Sequence, residues 1–174
     1  MRLRARSSIK YLKKCPPCLQ EFGWCGILAV VYAAELPMPR SQKQLVLFFE
    51  NVKVALNISS DVWISSEKEQ RGCINFDQIV KLLKYYQCDY KVIRFKRRGI
   101  FVSLRNWIQH KKKTELASSY IVNVTGHAVF VRFLKGMEMW EIYDQNGVCH
   151  QDSGFQLQTA CSIRNKILYI VKIL

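Results

Sequence analysis

A glutamine, a cysteine, a histidine and an aspartate stand along this chain in the order that thiol hydrolysis needs. Gln20 precedes Cys25 by five residues in Gln-Glu-Phe-Gly-Trp-Cys, and a small apolar run from Gly26 to Ala34 follows. His127 lies in Thr-Gly-His-Ala-Val-Phe-Val-Arg, and Asp144 in Trp-Glu-Ile-Tyr-Asp-Gln-Asn-Gly. A thiol at neutral pH is mostly protonated and a poor nucleophile. A helix N-terminus lowers its pKa, because unpaired N–H groups and the helix dipole favour the thiolate. A neighbouring imidazole lowers it further and later protonates the leaving amine, so a thiolate–imidazolium pair is the expected resting state. A third polar group fixes which ring nitrogen carries the proton. An amide donor before the cysteine, with the Cys25 N–H, can hold the oxyanion, and losing such a donor costs about 100- to 1000-fold in rate.

At these residues the chain resembles the papain-like cysteine peptidases. Within that group it looks most similar to the Josephin-type deubiquitinases and the bacteriocin-processing, double-glycine-type peptidases. The likeness covers about a dozen residues in three islands, and 36–118 carry no family motif. It implies an α+β, papain-like fold, with the nucleophile on a central helix packed on a C-terminal antiparallel sheet. It implies Cys25 as nucleophile, His127 as general acid/base, Asp144 as orienting group and Gln20 as oxyanion donor. Asn146 is the rival orienting residue. The assignment requires the Cys25 sulfur within ~4 Å of a His127 ring nitrogen. Substrates would be polypeptides: a ubiquitin-like conjugate, a leader peptide or a self-cleavage site.

Each residue also has a structural reading. Cysteine is among the most buried residue types, and Cys73, Cys88, Cys149 and Cys161 are read as packing. Cys25 differs because Gly23 and Gly26 leave room around it. His110 falls at a Lys-rich helix end and His150 in a turn, which leaves His127 as the imidazole. Asp144 before Gln-Asn-Gly can simply make a turn. Trp24 and Trp140 can cover a site or fill a core. Cys15-Pro-Pro-Cys18 is a single CxxC pair. A closed zinc site takes four ligands, which Cys149 and His150 would have to complete. With one such pair and no preceding strand, no metal or cofactor is expected, and the segment reads as a lead-in turn.

A chain of 174 residues, 49% of them hydrophobic, suits one globular domain. We read 1–19 as a basic, irregular arm and 20–174 as the domain. The longest apolar run is about half the ~20 residues of a membrane span. No apolar stretch follows the charged N-terminus, so neither a secretory signal nor a transmembrane segment is expected. Seven scattered cysteines suggest a reduced, intracellular and cytoplasmic setting. The net charge of +14 favours acidic partners and segments. It also supports a rival class: an inactive papain-like scaffold acting as a basic adaptor for nucleic acid or protein, though no nucleic-acid-binding motif is present.

The elements that must position these residues follow from periodicity. A helix is expected over 25–35, stopped by Pro37 and Pro39. Ser41 can cap an amphipathic helix over 42–56, with Leu45, Phe48, Phe49, Val52 and Leu56 on one face. Residues 57–74 read as a loop anchored by Trp63, and Asn75 as the cap of a helix over 76–86. A strand is expected over 90–95 and a short helix over 103–110. Strands then follow over 119–124, 128–134, 138–143 and 167–173, with a hairpin turn at Lys135-Gly136.

Overall fold

The structure is a computed structural model that describes residues 13–14, 25–58, 74–94, 104, 107, 119–124, 127–134, 139–144, 147–151 and 167–174. In chain order these form β1 (Lys13–Lys14), α1 (Cys25–Ala33), α2 (Gln42–Leu56), α3 (Phe76–Tyr85) and β2 (Tyr90–Arg94). Then come β3 (Ser119–Val124), β4 (His127–Leu134), β5 (Met139–Asp144), β6 (Gly147–Gln151) and β7 (Ile167–Ile173). Leu104 and Trp107 are helical, while the rest of 103–110, Trp63 and Lys135-Gly136 lie outside the described residues. The fold is α+β.

Local chemistry explains the helices. Ser41 is the N-cap of α2 and accepts from the Gln44 N–H. Asn75 caps α3 in a reciprocal box: its side chain accepts from the Gln78 N–H at 3.0 Å, and Gln78 accepts from the Asn75 N–H at 2.8 Å. Helices α1, α2 and α3 each end on a non-glycine residue in the left-handed region, at Glu35 (φ 52°), Asn57 (φ 55°) and Gln87 (φ 56°). At each, the following N–H reaches back five residues, as in Leu36 to the Val31 carbonyl and Cys88 to the Leu83 carbonyl. That motif usually takes glycine.

The described strands form one antiparallel sheet in the order β1-β6-β5-β4-β3-β7-β2. Strands β3 to β6 form a meander, and β7 inserts between β3 and β2. Two corrections to the sequence reading arise here. The stretch around His150, read as a turn, is strand β6, with His150 opposite Glu141. The arm, read as irregular, pairs Lys13 with Val148 and Lys14 with Gly147. Neither stretch has strict apolar alternation, because β1 is short and β6 lies next to it near the sheet margin, where burial imposes little pattern.

The sheet separates two cores. On one face α1, α2 and α3 pack through Ile27, Leu28, Val31, Val52, Ile79 and Leu82 onto Ile121, Ala128, Phe130 and Val171. On the other, Tyr120, Val122, Val129, Val131, Trp140 and Ile142 pack with Leu104 and Trp107. Trp140 is 2% exposed and meets Trp107 at a tilt and Phe133 edge-on, so it fills a core. Burying each such large side chain contributes about 1.5–3 kcal/mol.

Candidate active site

Cys25 is the first residue of α1. Its thiol therefore sits at the helix end where backbone N–H groups lack intrahelical partners. The first turn holds no acidic residue to oppose the positive end. Cys25 is half-buried and packs against the helix-side core. The next residue explains how the helix start is seated. A Cβ on Gly26 would lie 2.7 Å from Cγ1 of Ile74, the residue before the α3 cap. Glycine is what allows α3 to begin against the first turn of α1.

The direction of α1 brings its start to a particular end of the sheet. Tyr32, near its C-terminus, has its ring 6.4 Å from Phe130 and 4.3 Å from Tyr143. Cys25 is seven residues earlier, about 10 Å back along a helix axis. His127 is three residues before Phe130, also about 10 Å back along a strand. Ala33, Ala34 and Glu35 line one cleft with Ser119 and Arg132, so α1 ends toward the far end of β4 and begins toward the end of the sheet where His127 lies. β5 runs antiparallel to β4, with Tyr143 opposite Phe130, so Asp144 closes β5 at that end as well.

The faces differ. His127 opens β4 opposite Val124, in the pleat phase of Val129 and Val131, which belong to the core on the side away from the helices. Cys25 packs with the helix-side core. His127 Nε2 is buried and makes no hydrogen bond. This conformation therefore does not hold the expected thiol–imidazole bond through that nitrogen. Burial lowers the His127 pKa below its ordinary 6.5, so the ring is neutral at pH 7. Asp144 follows Ile142 by two residues in the same strand phase as Trp140. Gln20, Trp24, Asn146, Cys15 and Cys18 lie outside the described residues.

At the other end of α1 the structure shows a polar network that the sequence reading missed. The Arg132 Nε donates to Glu141 at 2.5 Å, and its Nη2 donates to the Tyr143 hydroxyl at 2.9 Å. Burial and the bond to Glu141 raise the Tyr143 pKa well above its usual value. The signal was present, since Arg132 and Glu141 face each other across a hairpin. Among the described residues, no group of three or more His, Cys, Asp or Glu side chains can hold a metal ion. None of the described helices is long and apolar enough to cross a membrane. No protein-family model matches the chain, and no curated protein sequence matches it.

Proposed function

We propose that the protein is a cysteine peptidase or isopeptidase of papain-like architecture. Cys25 is the nucleophile, His127 the general acid/base, Asp144 the orienting group and Gln20 an oxyanion donor. One observation carries this reading: Cys25 is the first residue of a helix that begins toward the end of the sheet where the His127 strand starts and the Asp144 strand ends.

A neutral His127 can serve directly as the base. Its unbonded Nε2 must meet the sulfur in the reacting complex. It then takes the thiol proton as sulfur attacks the substrate carbonyl carbon. The oxyanion of the tetrahedral intermediate lies against the Cys25 N–H and the Gln20 amide. Collapse breaks the C–N bond, and the departing amine takes the proton from His127. Water then hydrolyses the thioester, with His127 again as base. Gly26 serves the site by letting the first turn of α1 approach Ile74.

A thiol-reactive peptide and a ubiquitin electrophile test this, with mass spectrometry locating the adduct. Labelling at Cys25, lost in Cys25→Ala and strongly slowed in His127→Ala, is the expected result. Labelling that survives Cys25→Ala, or none with either reagent, removes the peptidase reading. The second reading, an inactive basic adaptor, is favoured by the +14 charge and the neutral, unbonded His127 Nε2. Its mark is nucleic-acid affinity that falls by orders of magnitude between low and physiological salt. That affinity would persist in Cys25→Ala, in a parent protein without hydrolytic activity.

A further inference from the structure

A cleft of about 550 Å³ opens at the end of α1 remote from Cys25. Its volume is in the range of small-molecule sites. Tyr32, Tyr86 and Phe130 supply aromatic wall, and Glu35, Asp89, Arg132, Gln87 and Cys88 supply the polar lining.

Taken together, the charges of this lining differ in sign from the chain's net charge of +14. Arg132 is paired with Glu141 and also feels Glu35, so one cation stands against the three carboxylates of Glu35, Asp89 and Glu141. Glu35 and Asp89 are left as the other charged side chains of the lining. The C-terminus of α1 ends here through Ala33 and Ala34, and its last turn holds no basic residue. That end carries roughly half a negative charge. α3 ends at the same cleft through Tyr86, with Lys84 in its last turn as partial compensation. Two residues of the lining, Glu35 and Gln87, hold positive φ where glycine would be relaxed. Each keeps a polar side chain at the rim at a cost of about 1 kcal/mol.

We propose that this cleft binds an organic cation, an ammonium or guanidinium on an aliphatic stem, between the Glu35 and Asp89 carboxylates and the rings of Tyr32 and Tyr86. The carboxylates supply the counter-charge. The rings offer their negative faces to the cation and apolar surface to the stem. A metal ion fits less well, since no three His, Cys, Asp or Glu side chains among the described residues converge on one point. The same chemistry is carried by a free di- or polyamine and by a Lys or Arg side chain of a polypeptide. The site is separate from Cys25 and independent of the peptidase reading.

Cys88 supplies the test, because its half-buried thiol lines the cleft. The full chain is treated with iodoacetamide at mildly alkaline pH, and mass spectrometry follows the Cys88 peptide. Agmatine represents the free amines and Nα-acetyl-lysine amide the peptide side chains. Nα-acetyl-norleucine amide is the uncharged control. Slowing of Cys88 alkylation by threefold or more with at least one cation, and not with the control, is expected. The more protective arm identifies the source. Glu35→Gln/Asp89→Asn should raise the protecting concentration at least tenfold, with circular dichroism unchanged. Should that pair not fold, Glu35→Gln alone should raise it by severalfold. Cys25→Ala should leave protection intact. Equal protection by the control, none by either cation, or an unchanged concentration in a folded carboxamide variant overturns the proposal.

Discussion

Replacing Gly26 by alanine tests how the nucleophile's helix is seated. Two effects oppose each other. Alanine is favoured over glycine within a helix by up to about 1 kcal/mol. Against this, the new Cβ would sit 2.7 Å from Ile74 Cγ1, where carbon contacts prefer about 3.5–4.0 Å. The overlap is about 1 Å, and the atom met is not the free end of a flexible chain. Ile74 is 7% exposed and β-branched, so a rotamer change cannot clear the space. Overpacking of this kind costs about 1–3 kcal/mol. The clash therefore wins, and Gly26→Ala should lose about 0–2 kcal/mol, up to roughly 4–8 °C in melting temperature at 2–4 °C per kcal/mol. Urea unfolding followed by circular dichroism measures it. The decisive arm is Ile74→Ala, which deletes Cγ1 and by itself costs about 2–5 kcal/mol. In that background Gly26→Ala should become stabilising. A Gly26→Ala effect of the same size in both backgrounds would mean the two residues are not coupled, and the seating argument would fall.

Three further outcomes are expected. His127 is held below its ordinary 6.5 by burial, so the unfolded chain binds a proton that the folded chain refuses. Stability should be complete above pH 6.5 and fall by up to about 1.4 kcal/mol per pH unit below it, until the folded ring also protonates. In His127→Gln that share of the acid loss should vanish from urea melts, and an unchanged pH profile would show the ring is not buried neutral. Gln87→Gly should stabilise by a few tenths to about 1 kcal/mol, since Gln87 has φ 56°, and Asn57→Gly by less, because asparagine tolerates that region. Thermal melts that show Gln87→Gly destabilising would refute the cap assignment. Asn75→Ala removes one half of the α3 capping box and should cost about 0.5–2 kcal/mol. A neutral result in denaturant melts would mean the cap is dispensable.

The helices were legible because caps and periodicity act within a few residues. Ser41, Asn75 and the Val52 and Leu56 face mark α2 and α3 directly in the string. Strands β3 and β7 read as clearly, because β-branched runs buried on both faces have little polar interruption. What escaped depends on partners distant in sequence. Lys13–Lys14 becomes strand only because β6 lies beside it, and β6 carries Gly147 and His150, which read as a turn. For the site, residue types brought out Cys25 and His127, and the structure carries both to one end of the sheet. The pleat phase that His127 shares with Val129 and Val131 was not legible. It depends on a register with Val124 and Tyr143 that single-strand patterns do not encode.

The place of β7 bears on how the molecule is made. β2 is complete once residue 94 leaves the ribosome, yet its partner is residues 167–173. At about 5–20 residues per second, roughly 4–15 s of synthesis separate the two. Through that interval β3 also lacks the neighbour on one edge. Val171, one of the residues under the helix layer, has not yet been made. The sheet beneath the helix layer is thus completed late in translation, when β7 enters between β3 and β2. Chain growth itself acts as a timer on the completion of the sheet that the helix layer, Cys25 included, packs against.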